Sequence, residues 1–309
     1  MRSPRRRSAD MRRTKLYMDT VVDIQIVAKD AHRLGEAEAQ MTRAFEAFRK
    51  VEMTCSRFSP DSELMQVCRQ IGSPVRVSSL LYEPLRFALE MAKWTEGVFD
   101  PTVGRLMEDH GFNSHYLTGE KMQTPVCGKV TYRDIILDDE ERTLLLRKPM
   151  VIDLGAVAKG FAIDLAAREL KDFPGFIVNA GGDLYAAGMN ERGKPWTIDI
   201  QHPAEAAKTI HTIEVSNQAI CTSGSYERKS AVKPDTHHII HAQTEQSPHD
   251  WVSCSVIAPF AMMADTFSTA SFLLGAESGK RLIEQAGLTG IWITGDLQIE
   301  RTGGTGNDN

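Results

Sequence analysis

The chain has 309 residues, with 42% hydrophobic and 25% charged residues, the profile of an ordinary soluble globular protein. That composition excludes a mainly disordered, collagen-like or coiled-coil chain, and the length fits one large domain or two medium ones. The net charge of −5 is uneven: residues 1–13 hold six arginines and one acid, leaving 30 basic and 40 acidic residues elsewhere. So acidic a body does not suit nonspecific nucleic-acid binding.

Residues 1–14 read as a disordered basic tail. From Thr14 the chain alternates polar and apolar. Residues 19–28, "DTVVDIQIVA", put Val22, Ile24 and Ile26 on one face and predict a strand. Helical spacing of Leu34, Met41, Ala44, Phe45, Phe48 and Val51 predicts a helix over 31–54. "RFSPDSEL" breaks it, and Ser62 is placed to cap a short helix. A helix over 78–96 turns Leu81, Leu85, Ala88, Met91 and Trp94 inward and stops at Gly97. "GVFDPTVG" (97–104) reads as a loop, because Asp-Pro disfavours helix at Asp100. Residues 109–129 read as an inserted surface loop.

Strands are expected at 133–138, 143–147 and 149–153, a helix at 158–171, and strands at 175–179, 196–201, 210–215, 218–222 and 252–258. Residues 226–250 are polar and rich in histidine. A helix over 260–275 and another to Gln285 precede a hairpin pairing 290–294 with 297–301. Meander strands mixed with helices favour an α+β fold over a doubly wound sheet. The domain is set at 15–302, with 303–309 a frayed tail. The five cysteines form neither a disulfide framework nor a zinc pattern, and no stretch approaches the roughly 20 apolar residues of a membrane span. Scattered thiols suit a reducing compartment, and the cytoplasm is the expected location.

Six segments are candidates for chemistry. "IDLGAVAKGFAID" (152–164) runs from strand through small residues into a helix start that favours anions. Asp153 and Lys159 there suit a ligand, or an ordinary strand–turn–helix corner. In "MMADTFSTASFLLG" (262–275), Asp265 and Thr269 share one helix face. A carboxylate in an apolar helix needs a partner, and either a hard cation or a helix-capping role supplies one. "NAGGDLYAAG" fits close backbone approach to a ligand or a simple hairpin. In "CTSGSYER", Thr222, Ser223 and Ser225 surround Gly224, either for a phosphate or heterocycle or as a polar loop. His237, His238, His241 and His249 suit a solvated loop, one acid–base histidine, or a metal site without the HExxH pattern. Asp100 and Thr102 in the Asp-Pro loop suit a ligand contact or turn chemistry.

In this order the segments resemble the ApbE family, the FAD:protein FMN transferases, from about Met18 to Ile299. "MDT" at 18–20 is similar to the family's Met-Gly-Thr opening, and "SRFSPDSEL" to its Asp-Ser-Glu-Leu segment. "GVFDPTVG", "IDLGAVAKGFAID", "VNAGGDLYAAG" and "TSGSYER" resemble its successive core motifs, and "ADTFSTASFLLG" its Ala-Asp-x-x-x-Thr-Ala helix. The resemblance implies an α+β, T-fold-like structure of mixed sheets packed with helices. It places a cleft for FAD and metal between subdomains. It further implies Mg²⁺-dependent transfer of FMN from FAD to a Thr or Ser hydroxyl of an acceptor protein bearing a flavinylation motif, with release of AMP.

On the matching positions, Met18, Phe58, Phe99, Asp100, Pro101, Asp153, Lys159 and the turn Thr222–Ser223–Gly224 would bind FAD. Ala156 through its carbonyl, Asp265 and Thr269 would hold Mg²⁺, and His238 and Asp265 would be catalytic. The histidine segment departs from the family pattern: "HIIHAQTEQ" has His241, Ala242 and Glu245 where the family has Asp, Pro and Gly. Asp19 replaces the opening glycine and Arg105 a proline. Two further readings share these residues: FAD hydrolysis to FMN and AMP, and flavin binding without catalysis. The expected partner is thus a protein, with no nucleic acid and no membrane insertion, and the oligomeric state stays open.

Overall fold

The computed structural model describes residues 9–28, 33–124 and 128–302. The expected tails at 1–8 and 303–309, and Cys127, lie outside them.

The chain opens with a hairpin of β1 (Ala9–Tyr17) and β2 (Thr20–Ala28), joined through Met18 and Asp19. The strand thus begins at Ala9, inside the segment expected to be a disordered tail. Arg12 pairs with Asp23 at 2.9 Å and Arg13 with Glu38 at 2.5 Å, so these arginines are partnered along the sheet and helix rather than free. Helix α1 (Leu34–Cys55) follows, burying Met41, Ala44, Phe45, Phe48 and Val51 at the expected spacing. Ser62 accepts the amide hydrogen of Met65 at 3.1 Å and caps α2 (Glu63–Cys68).

A small sheet is formed by β3 (Val75–Arg76), β4 (Ile135–Asp138) and β5 (Thr143–Leu146), in the order β3-β5-β4. Helix α3 (Ser79–Trp94) is followed by a short turn, Pro101–Val103, and by α4 (Gly104–Asp109). Trp94 is not buried but half exposed, because it falls on the last residue of α3; it meets the Phe267 ring edge-on at 5.4 Å. Residues 149–153 join no ladder. Their backbone bonds run instead to the Asp-Pro loop, from Asp153 to Pro101 and from Gly104 to Val151.

Next come α5 (Ala158–Glu169), β6 (Gly175–Ala180), β7 (Asp183–Gly188), β8 (Trp196–His202), β9 (Glu205–Val215) and β10 (Gln218–Gly224). The chain closes with β11 (Ser253–Ala258), α6 (Ala261–Gln285), β12 (Thr289–Ile293) and β13 (Ile299–Thr302). The large sheet runs β1-β2-β6-β7-β10-β11-β12-β13, antiparallel throughout. Helices α1, α5 and α6 pack together, and their core contains Val22, Ile24, Ile26, Ala219 and Cys221 of the sheet. Alternate residues Leu184, Ala186 and Ile220 point to the opposite face, where Trp196, Ile200 and Ile213 of the β8–β9 hairpin cover them. This is the period-two alternation of a sheet covered on both faces.

The two expected helices at 260–285 are one element broken at Gly275, whose φ of +76° only glycine adopts freely. The Thr222–Ser223–Gly224 stretch is the end of β10 rather than a turn, because its residues pair with Ser255, Cys254 and Ser253 of β11. The architecture is α+β. Among the described residues no helix is long and apolar enough to cross a membrane.

Candidate active site

A cleft of about 690 Å³ gathers every residue that the family resemblance assigns, Met18, Phe58, Phe99, Asp100, Pro101, Asp153, Ala156, Lys159, Thr222, Ser223, Gly224, His238, Asp265 and Thr269, whereas the motif candidates Thr102, Ser225, His237, His241 and His249 do not line it. Segments far apart in sequence meet there because strand ends, helix starts and loops converge at one end of the large sheet.

The rim begins at the β1–β2 turn, where Met18 and Asp19 have φ of +51° and +61°. Paired positive φ values match a two-residue type I′ hairpin, which strongly favours Asn-Gly or Asp-Gly. A methionine there is strained, and strain of this kind clusters at functional sites. Glu52 fixes the turn by accepting the Met18 amide hydrogen at 2.9 Å, and the Tyr116 hydroxyl donates to the same carboxylate at 2.7 Å. Residues 111–116, expected to be a surface loop, contribute Phe112, Ser114, His115 and Tyr116 to the wall.

The cleft floor is electrostatic. Lys159, in the first turn of α5, forms an ion pair with Asp183 of β7. Asp183 is almost wholly buried and also accepts the Thr222 amide hydrogen at 2.8 Å. Burial opposes the charge of Lys159, but Asp183 and Asp265 outweigh it and raise its pKa, so the ammonium stays protonated. Asp265 lies one turn into α6, 5% exposed, and accepts the Gly160 amide hydrogen through Oδ2 at 3.1 Å. Burial raises its pKa, against the pull of Lys159 and with the push of Asp183.

Asp265 does not cap its helix. That task falls to Asp164 of α5, which accepts the amide hydrogens of Ala261 at 2.7 Å and Met262 at 2.9 Å. Asp265 is thus left for another partner, and Thr269 stands one turn further along the same helix. The Thr269 and Ser268 hydroxyls each meet Ser223 Oγ at 2.9 Å, tying α6 to β10. The Ala156 carbonyl accepts from Thr266 at 3.3 Å. Among the described residues no three His, Cys, Asp or Glu side chains group as metal ligands. A set of one carboxylate, one hydroxyl and one carbonyl is of a different kind and suits a hard cation.

Asp153 is paired at 2.5 Å with buried Arg57 and accepts the Gly155 amide hydrogen at 2.7 Å. Burial works against its charge, yet Arg57 and this amide hold its carboxyl below the usual aspartate range. Asp100 lines the cleft, but its carboxylate is occupied: Oδ1 takes the Thr102 amide and hydroxyl, and Oδ2 the Tyr132 amide. Burial nevertheless raises its pKa.

His238 has a buried Nδ1 without a hydrogen-bond partner. Burial, with nearby Arg228, His237 and Lys159, pushes its pKa down to about 3 and keeps the imidazole neutral. The other histidines build the loop that carries it. His237 packs edge-on against His249 and Phe272, and its Nε2 lies 2.8 Å from the Pro248 carbonyl. His241 Nδ1 accepts the amide hydrogens of Gln243 and Thr244 at 3.2 and 3.4 Å, the turn bond an aspartate would make. Glu245, at the family's glycine position, has a φ of +59°.

Sequence reasoning missed Arg57, Glu52, Tyr116 and Asp183. The first and last sat inside quoted motifs, but only the fold shows what their charges face.

Known proteins resemble this chain over most of its length. The profile described as "ApbE family" matches residues 18–292. The FAD:protein FMN transferase of Salmonella typhimurium is 28% identical over 290 residues, covering 89% of this chain and 82% of its own. That of Haemophilus influenzae is 31% identical over 254 residues, covering 77% and 73%. The crystal structure of the ApbE protein of Thermotoga maritima superposes with a TM-score of 0.81 at 26% identity, over 95% of this chain and 97% of the other. The chain belongs to the ApbE family and is an enzyme of the transferase class.

Proposed function

We propose that this protein transfers FMN from FAD to a Thr or Ser hydroxyl of an acceptor protein that carries a flavinylation motif, releasing AMP. The observation that carries this reading is that Lys159, Ala156, Asp265 and Thr269 all line one cleft of about 690 Å³. That volume lies in the range of small-molecule sites. Phe58 and Phe99 line the same cleft and add aromatic surface for a ring system. Relatives over most of the chain bear the name of this activity.

Ala156, Asp265 and Thr269 would hold Mg²⁺, since all three present oxygen and the second Asp265 oxygen is not engaged by Gly160. Bound there, Mg²⁺ would neutralise charge on the pyrophosphate oxygens. Lys159 adds a fixed positive charge beside them and, held by Asp183, needs no reorganisation during reaction. The acceptor oxygen attacks the FMN-side phosphorus, the bridging P–O bond breaks, AMP leaves with the bond electrons, and the hydroxyl proton passes to the departing AMP phosphate or to water. A neutral, weakly basic His238 orients the attacking hydroxyl by hydrogen bonding rather than serving as a strong base. A reducing cytoplasm suits the free thiols of Cys55, Cys68, Cys221 and Cys254.

The test mixes protein, FAD and Mg²⁺ with a flavinylation-motif acceptor, following AMP release and acceptor fluorescence. Labelled acceptor and AMP, both lost in Asp265→Ala, support the proposal. AMP without labelled acceptor replaces transfer with hydrolysis. Bound FAD without AMP replaces both with flavin binding alone.

A further inference from the structure

Arg57 stands apart from the other cations of the cleft. It is 5% exposed, lines the same cavity, and lies with its guanidinium carbon 4.1 Å from the centre of the Phe58 ring. Nε donates to Asp153 Oδ2 at 2.5 Å and Nη2 to the Phe112 carbonyl at 2.5 Å. Nη1 is buried and has no hydrogen-bond partner. Buried donors are nearly always satisfied, so an orphaned guanidinium N–H on a residue that lines a cavity marks a place for an acceptor atom.

The surroundings decide which kind of acceptor. Asp153 neutralises Arg57, which leaves little net attraction for a phosphate. Lys159 is likewise paired, with Asp183, but it also lies near Asp265 of the proposed Mg²⁺ donors, where a cation would add the positive charge that the Arg57 region lacks. The Phe58 ring lies against Arg57, and Phe112, whose backbone carbonyl Arg57 holds, lines the same cleft. A neutral carbonyl on a flat ring meets all these conditions: its oxygen fits the spare N–H and its face fits the phenyl surfaces.

We propose that Arg57 is a substrate-binding residue whose Nη1 donates to a ring carbonyl of the flavin, selecting the isoalloxazine end of the nucleotide. This rests on the flavin reading given under Proposed function.

The experiment measures binding of riboflavin, which lacks phosphate, and of ADP, which lacks flavin, to wild type, Arg57→Lys and Arg57→Gln. Wild type is expected to bind riboflavin. Arg57→Lys keeps the charge but loses the planar fork and is expected to bind riboflavin at least about tenfold more weakly, with ADP affinity unchanged. Equal riboflavin affinity in wild type and variants, or a loss confined to ADP, overturns the assignment. Wild type that binds neither ligand overturns the flavin reading itself, which separates the two failures. Should the variants fail to fold, ¹⁵N NMR of wild-type arginine side chains decides. A guanidinium signal, shared with no other arginine, that shifts with riboflavin and not with ADP supports the proposal; its absence overturns it.

Discussion

Lys159 and Asp183 form an ion pair that joins the first turn of α5 to the start of β7, and the same Asp183 carboxylate holds the Thr222 amide of β10. One buried acid therefore sets the position of two cleft walls. Replacing Asp183 by Asn strands the Lys159 ammonium beside Asp265 alone and weakens the acceptor for Thr222. Breaking a buried pair by removing one partner costs about 3–5 kcal/mol. Asp183→Asn is expected to lose stability on that scale and at least about tenfold of the transfer rate, since removal of one preorganised electrostatic group typically costs more than that. Denaturant melts and rates on the same preparation check both. Full activity in Asp183→Asn would show that Lys159 needs no fixed counter-charge.

Asp164 offers a test by pH. Burial raises its pKa to about 6, although the amides of Met262 and Ala261 pull the other way. The folded state thus binds this proton more tightly than the unfolded chain, whose aspartate titrates near 3.9. The sign follows: acidification from about pH 6 to about pH 4 adds stability from this group, and raising the pH through that window removes it. Roughly two pH units correspond to about 3 kcal/mol. In Asp164→Asn this contribution disappears. The melting temperature of wild type minus that of Asp164→Asn should therefore rise as pH falls from 6 to 4. A constant difference would mean that the Asp164 carboxyl is not raised.

How far the sequence went depends on whether a feature is periodic or relational. Val22, Ile24 and Ile26, or Met41, Phe45 and Phe48, announce their elements by spacing, because burial repeats with the backbone period. The Asp-Pro and Gly-Gly signals marked turns for similar local reasons. Arg13 looked like tail because its partner, Glu38, lies 25 positions away and outside any local pattern. Residues 149–153 carry the apolar run of a strand, and only the position of Pro101 and Gly104 shows that their backbone bonds go to a loop. Asp265 had two readings in sequence, ligand or cap. Asp164 decides against the cap, from another helix and 97 positions away from Ala261.

Gly160 tests the contact that presents Asp265. A Cβ added there would lie 2.6 Å from the Met262 Cα and run into the Ala261 carbonyl, so α5 and α6 would be forced apart. The Gly160 amide is also the donor to Asp265. Overpacking of this kind typically costs about 1–3 kcal/mol. Gly160→Ala is expected to lose that stability and to weaken the Mg²⁺-induced rise in melting temperature measured with FAD present. An unchanged Mg²⁺ response would uncouple the helix contact from the proposed metal donors.

Glu245 carries the opposite expectation. Its φ of +59° is a left-handed conformation that costs an L residue roughly 1–2 kcal/mol, whereas glycine adopts it freely. Glycine brings a larger loss of unfolded-chain freedom, about 0.5–1 kcal/mol, so the net gain from Glu245→Gly is at most about 1.5 kcal/mol. Glu245→Ala keeps the strained backbone and should show no such gain. Glu245 is not part of the cleft lining, and the His241 turn beside it is built from backbone amides that the substitution leaves in place. Transfer activity is therefore expected to stay at the wild-type level while the melting temperature rises. If Glu245→Gly instead melts lower than Glu245→Ala, the Glu245 side chain stabilises this loop more than its backbone strains it.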